Sequence, residues 1–323
     1  MSAGGAIPLA GLSPAARGHL AMLMFSALVA GSFSLGSLMA NMISPTAFSA
    51  LRFLLAAGML GATLVVAAGT PTGLTRRALA APWRYLVLGG LLAAYFVLMF
   101  EGLKTAEPVA SAAVFTLTPV MSAGFGRVLL GQRMTQRIAV ALALGAAGAV
   151  WVIFRADLGA LMRFQIGRGE AIFLVGCAAH ALYTPMVRKL NRGESPVVFS
   201  FGVLVAGLVM LTLLGLSEIR ATDWTALPAI VWITLVYTAL FATAVTFVLL
   251  QYAALRLPSS KVMAYTYLTP SWVALWEVAL GKGVPSALTL VGVAGIVLAL
   301  VLLLKDQEAP SPSSRSSSRS SAS

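Results

Sequence analysis

The chain has 323 residues, of which 59% are hydrophobic and only 10% charged. Ordinary soluble domains carry about 25% charged residues, so this chain cannot clothe a soluble surface of its size. A formal net charge of +12 invites a nucleic-acid reading, but the basic residues are placed by membrane topology, as shown below, and no nucleic-acid partner is expected.

The apolar residues fall in runs of about 20, the length that crosses a bilayer core as a helix. Ten runs are predicted, at roughly 18–41, 45–69, 84–104, 107–130, 136–154, 169–190, 197–216, 228–251, 258–280 and 286–304, numbered here as spans one to ten. None alternates apolar with polar positions, which excludes a transmembrane β-barrel. The fold class is an all-α polytopic membrane protein.

Span one follows a stretch, Met1–Ala16, with no basic side chain, and no cleavable signal peptide is expected. It carries Ser26, Phe33 and Ser37 at helical spacings. In span two, Arg52 lies seven residues in from Pro45, about 10 Å along a helix. Glu101 sits at a similar depth near the end of span three. A gating or structural ion pair between them would lower the cost of both charges in the membrane. Span four opens at Pro108 and presents Ser111, Phe115, Thr118 and Ser122, with Pro119 in its middle. A proline there removes one backbone hydrogen bond and should free the carbonyl of Phe115, which lipid does not tolerate unless protein or a wet cavity satisfies it.

Span six begins at Arg168-Gly169. His180 lies eleven residues into its apolar run, about 16 Å deep and near the middle of a bilayer core, with Tyr183 within one turn. A midplane imidazole suits substrate bonding or proton transfer, against the plainer reading of a satisfied neutral histidine between helices. Span nine opens at Pro258 and carries Lys261, Tyr265, Thr269, Trp272 and Trp276 at spacings of four, four, three and four, a single helical stripe. A cation, hydroxyls and large rings together suit a carboxylate with an apolar body; alternatively Lys261 snorkels to the membrane surface while the rings pack. Pro270 interrupts this span and should free the Thr266 carbonyl. Glu277, near its end, is read as an interfacial charge. From Ala309 onward, serine, proline and arginine predict a disordered tail.

One half of the chain repeats the other. Leu117-Thr118-Pro119 and Leu268-Thr269-Pro270 lie 151 residues apart, as do Arg17-Gly18 and Arg168-Gly169. Leu130-Gly131 and Leu280-Gly281 end the two broken spans. Gly145 and Gly148 in span five are echoed by Gly292 and Gly295 in span ten, where small residues let backbones approach in lipid. Five spans per half is an odd number, so the second copy enters from the opposite side and the halves are inverted repeats. The expected layout is a short N-terminus at 1–17, a first repeat at 18–154, a linker at 155–168, a second repeat at 169–304 and a tail at 305–323.

With the N-terminus cytoplasmic, fourteen basic residues fall in inside loops, among them Arg76, Arg77, Arg84, Arg133, Arg188 and Lys189, against six outside. The positive-inside rule then places both termini in the cytoplasm. Duplicated halves with broken helices at matching positions mark a secondary transporter whose substrate site lies between them, and Pro119 and Pro270 are the expected hinges.

Ten spans in two halves, with Pro119 followed by Leu129-Leu130-Gly131-Gln132-Arg133, its second copy from Pro270 to Leu280-Gly281-Lys282, and Pro45 with Arg52, resemble the drug/metabolite transporter superfamily, EamA type. The resemblance covers roughly residues 18–304. It implies an exporter of amino acids or other small metabolites in the bacterial inner membrane, driven by substrate or ion gradients. The family usually has an acid after the Leu-Gly pair, where this chain has Gln132 and Lys282. Lipophilic drugs and sugar nucleotides are the alternative cargoes. Embedded acids near the centre, which a drug cation would want, are missing from span one, and only Arg52 and Lys261 are buried cations for a phosphate ester.

Catalysis is not expected. No Gly-x-Ser-x-Gly motif occurs, and the two histidines, His19 and His180, are isolated, so neither nucleophilic nor metal hydrolysis is set up. Cys177 is the sole cysteine, which rules out an intramolecular disulfide and a thiolate cluster. No phosphate-binding glycine loop is present, so ATP does not drive the protein directly. No cofactor or metal is expected; the partners are a small-molecule substrate and the bilayer, with a homodimer through helices five and ten as a further expectation. A membrane scaffold without transport is the competing class.

Overall fold

The computed structural model describes residues 13–68, 81–132, 135–154, 157–163 and 166–305. The predicted tail from Ala309 and the loop and tail cations Arg76, Arg77, Arg133, Arg155, Arg315 and Arg319 lie outside the described residues, as does the stretch 1–12. Among the described residues the structure is helical with no strands. Eight helices are long and apolar enough to cross a membrane, and a ninth apolar helix is Ala287–Leu302. The tenth span, nine in chain order, is broken into three short pieces.

The spans are Pro14–Met39, Pro45–Ala68, Trp83–Gly102, the pair Pro108–Phe115 and Thr118–Leu130, Gln136–Ile153, Arg168–Leu190, Pro196–Leu214, Ala229–Ala254, the broken span nine, and Ala287–Lys305. Their starts follow from local chemistry. Ser13, Thr135 and Ser195 each accept a hydrogen bond from the amide three residues on, and Pro14 and Pro196 fill the first helical position, where a missing N–H costs little. The repeated Leu-Gly pairs are helix stops. Gly131 adopts a left-handed φ of 62°, and its amide and that of Gln132 return to the carbonyls of Arg127 and Gly126. Gly281, at φ 74°, does the same work after span nine, with Lys282 bonding back to Glu277.

The two broken spans share one design. Span four stops at Phe115 and restarts at Thr118, so Pro119 is the second residue of a new helix. Span nine runs as Ser259–Ala264, a 3-10 turn at Tyr265–Leu268, and Thr269–Ala279, again with Pro270 second. Each break therefore precedes its proline, which sits in the first turn of the new helix, where a missing N–H breaks no intrahelical bond. The carbonyls expected to be freed are both satisfied: Phe115 O accepts the Thr118 hydroxyl at 2.7 Å, and Thr266 O accepts the Thr269 amide.

Packing shows the inversion. The first piece of span four lies against the last piece of span nine, and the second piece of four against the first piece of nine. The two repeat-related spans thus cross antiparallel, and their breaks meet. Spans three and six pack together, as do their repeat mates eight and one; two packs on seven, and five on ten. Spans five and ten touch backbone to backbone: a Cβ on Gly148 would lie 2.8 Å from the Gly292 carbonyl, and Trp151 Nε1 donates to Leu288 O at 3.0 Å. Gly295 faces open space, so of the four glycines singled out it is not a packing point.

One feature is unlike its repeat mate. Span eight contains a π-helical turn, Leu240–Val245, between the α-helical pieces Ala229–Ala239 and Thr246–Ala254. Such turns concentrate at functional sites because they loosen the hydrogen-bond ladder.

Candidate functional site

Between the two halves a small cavity of about 10 Å³, room for about one water, is lined by Phe25, Val29 and Ser32 of span one, Tyr95, Phe96 and Met99 of span three, His180 of span six, and Ala242, Thr246 and Phe247 of span eight. Six of the ten lining residues are repeat mates. Val29 and His180, Tyr95 and Thr246, and Phe96 and Phe247 each lie 151 residues apart. The Phe96 and Phe247 rings stack on each other, centroids 6.1 Å apart and 18° from parallel. The cavity therefore straddles the axis that relates the two halves, where transporters of this build hold substrate.

His180 is 2% exposed, and neither ring nitrogen has a hydrogen-bond partner. Its imidazole stacks on Tyr95, centroids 4.4 Å apart, and lies 5.4 Å from Phe115 and 6.2 Å from Tyr183. Tyr183 accepts a hydrogen bond from Gln251 Nε2 at 2.8 Å, while Gln251 Oε1 and Ser32 Oγ are buried without partners. A buried polar group left unmade costs about 1–3 kcal/mol. Several of them around one aromatic chamber make a site that gains by taking a polar guest.

Arg52 stands behind this wall. It is fully buried; Nε donates to the Thr243 hydroxyl, Nη2 to the Ala242 carbonyl at 2.7 Å, and its guanidinium carbon lies 3.8 Å from the Phe96 ring centre. Both oxygens belong to the π-helical turn. The expected pair with Glu101 does not form. Glu101 bonds Lys104 instead, at 2.6 Å near the protein surface. Span three ends at Gly102, one residue past Glu101, so the acid sits at the helix end while Arg52 lies seven residues inside its own helix.

The expected site residues thus divide. The structure brings His180, Tyr183 and Phe115 together. Ser111 is buried on span four without a hydrogen-bond partner and does not line the cavity. The span-nine stripe faces spans one and eight instead: the Tyr265 hydroxyl is 3.2 Å from His19 Nδ1 and Trp272 Nε1 donates to Ser26 at 3.3 Å on span one, while Trp276 packs edge-on against Tyr237 of span eight. Lys261 is buried at the start of that stripe rather than spread on the surface. Tyr95, Phe96, Phe247 and Ser32 were missed by sequence reasoning, although the 151-residue offset that matched the prolines also matches Phe96 to Phe247.

Arg84, taken as a loop cation, is the second residue of span three and fully buried. Its Nη2 meets Glu194 at 2.8 Å and its Nη1 the Leu190 carbonyl at 2.6 Å, tying the first half to the turn between spans six and seven. Burial works against ionising Glu194, but the hydrogen bonds from Arg84 and the Arg192 amide outweigh it and hold the carboxyl below its ordinary value. Glu277, expected at the interface, is buried and lies 3.3 Å from Lys282.

Two inverted five-span halves, broken helices crossing at their prolines and a chamber between them are the build of a membrane transporter. The chain belongs to the EamA-like transporter family, which matches residues 16–154 and again 167–305. It is 24% identical over 264 residues to "Uncharacterized transporter YyaM" of Bacillus subtilis (strain 168), covering 81% of this chain and 86% of the relative. A crystal structure at 20% identity superposes with a TM-score of 0.66 over 90% of this chain and 96% of its own, a likeness of fold.

Proposed function

We propose that this transporter moves small organic metabolites, amino acids foremost, out of the bacterial cytoplasm by alternating access, with both termini in the cytoplasm. The observation that carries the reading is the chamber lined mostly by repeat mates, with the unpartnered nitrogens of His180 among them. In its closed form it is too small for a metabolite, so loading requires the halves to part first on one face and then on the other. Pro119 and Pro270, at the crossing of spans four and nine, are where the helices give. The stripe of Lys261, Tyr265 and Trp272 runs along span one past Ser26, next to the cavity residue Phe25, and forms the route between the basic face and the chamber.

Export of lipophilic cations is disfavoured because, among the described residues, no acid lines the chamber. The apolar outer faces of spans five and ten, with Val140, Leu288, Val291 and Leu298 exposed, meet lipid or a second copy. Counterflow in proteoliposomes with a mixed panel of amino acids, drugs and nucleotide sugars tests the reading. Exchange of amino acids is expected; exchange of another class alone would replace the substrate assignment, and exchange of none would favour a scaffold.

A further inference from the structure

A guanidinium buried inside a membrane protein gains from an anion, because neutral hydrogen bonds offset its desolvation only in part. Arg52 has none among the described residues. Five of the acids have other partners: Glu101 pairs with Lys104, Glu194 with Arg84 and Glu277 with Lys282, while Glu218 takes the Ser44 hydroxyl and Asp223 the Thr225 hydroxyl. The Arg52 fork is also incomplete. Nε and Nη2 are taken by Thr243 and Ala242, but Nη1 is buried with no hydrogen-bond partner. Two residues that touch this guanidinium, Phe96 and Ala242, are themselves walls of the central cavity. The unneutralised cation and the chamber thus share the Phe96 ring and the π-helical turn as walls.

We propose that Arg52 is the anion anchor of the central site, receiving on Nη1 the carboxylate of an amphipathic organic acid whose apolar body lies among Tyr95, Phe96 and Phe247. The inference rests on the transport reading and deepens it, moving the carboxylate contact from the span-nine cation Lys261 to span two. The geometry suits this assignment. Thr243 and Ala242 hold the guanidinium by its other nitrogens, so the free edge is already oriented. The Phe96 ring covers the cation in the closed chamber and must shift when the halves part, uncovering the charge as the site opens. The aromatic walls, stacked across the repeat axis, offer flat apolar faces to the rest of the guest, and the His180 nitrogens and Ser32 hydroxyl lie on the same chamber for its remaining polar groups.

The test uses the purified full-length protein and three probes of one shape: 3-phenylpropanoate, which has the carboxylate alone; L-phenylalanine, which has carboxylate and amine; and L-phenylalaninamide, which has the amine alone. Binding is read by thermal shift and titration, and transport by L-phenylalanine counterflow. The two acids are expected to raise the unfolding temperature and the amide not to. Arg52→Gln should weaken the acids by about tenfold to a hundredfold, the worth of one charged hydrogen bond, and Arg52→Lys should restore part of the loss. An amide that binds as well as the acids overturns the anchor, whether or not Arg52→Gln folds. If L-phenylalanine exchanges in counterflow with that result, transport of amino acids stands and the anchor falls. If it does not exchange but 3-phenylpropanoate binds in an Arg52-dependent way, the anchor stands and amino-acid export falls. Failure of both acids to bind also overturns it.

Discussion

The hydroxyls of Thr118 and Thr266 stand 3.2 Å apart where spans four and nine cross, and each also lies within hydrogen-bond reach of a carbonyl in its own span. Thr118 reaches Phe115 O and Thr266 reaches Met263 O, both at 2.7 Å. A hydroxyl has one proton, so two protons serve three bonds and one is always unmade. The junction between the repeats can therefore trade a bond across the halves for a bond within one. Thr118→Val removes both options and strands the buried Phe115 carbonyl. We expect a stability loss of about 1–3 kcal/mol, read as a lowered unfolding temperature in detergent, with Thr118→Ser close to wild type. A valine variant as stable as wild type would show that the carbonyl finds another donor.

Replacing either proline should act on rate before stability. Pro119 and Pro270 occupy second positions of their helices, where alanine is equally comfortable, but alanine also lets Pro108–Leu130 or Ser259–Ala279 close into one straight helix. Counterflow rates of Pro119→Ala and Pro270→Ala, at matched protein levels, are expected to fall severalfold while expression stays near normal. Full rates in both would remove the hinge role.

The Arg84–Glu194 pair is expected to behave as a buried ion pair. Side chains only 1% and 3% exposed leave little screening, and removing one partner strands the other charge, at a cost of about 3–5 kcal/mol. The pH dependence follows from the depressed carboxyl. Its stabilisation is complete above the ordinary value of 4.5 and is lost as pH falls through the lower folded value. Glu194→Gln should lower the unfolding temperature at pH 7 and flatten the acid limb of the stability profile. An unchanged acid limb would mean that other carboxylates set it.

Spans five and ten offer a paired control. A side chain at Gly148 would meet the Gly292 carbonyl at 2.8 Å and Ile296 at 2.9 Å, so Gly148→Val must push the spans apart. About 1–3 kcal/mol of destabilisation is expected, as for other overpacked contacts. Gly295 has nothing within 4 Å, and Gly295→Ala should lie within about 0.5 kcal/mol of wild type. Thermal unfolding of the two variants in one detergent checks both.

The spans and their repeat were legible because apolar run length, proline placement and the 151-residue offset are each local signals. The Leu-Gly pairs were visible as a motif and turned out to be left-handed helix stops. What the sequence hid was azimuth. Arg52 and Glu101 were matched by distance from span ends that the sequence places only to within a few residues, and which side of a helix faces which neighbour depends on packing that no single span contains. The same gap set the span-nine stripe against His19 and Ser26 rather than the chamber. The π-helical turn has no composition signal, and the Arg84–Glu194 pair joins residues 110 apart whose meeting depends on the fold. Tyr95 and Phe96 looked like ordinary apolar filling in an aromatic-rich bundle.

Exact inverted repeats would give a transporter two facing states of equal energy, each the other with the halves exchanged. This chain breaks that equality. The repeat mates of Arg84 and Glu194 are Leu235 and Ile43, so the ion pair on one face has no copy on the other, where Ser44 bonds Glu218 and Asn41 reaches the Lys104 carbonyl. Every 1.4 kcal/mol by which the two closures differ shifts the resting populations tenfold. Without any gradient, the molecules should spend most of their time shut on the Arg84 side, and a solute arriving there would have to find the small fraction that is open.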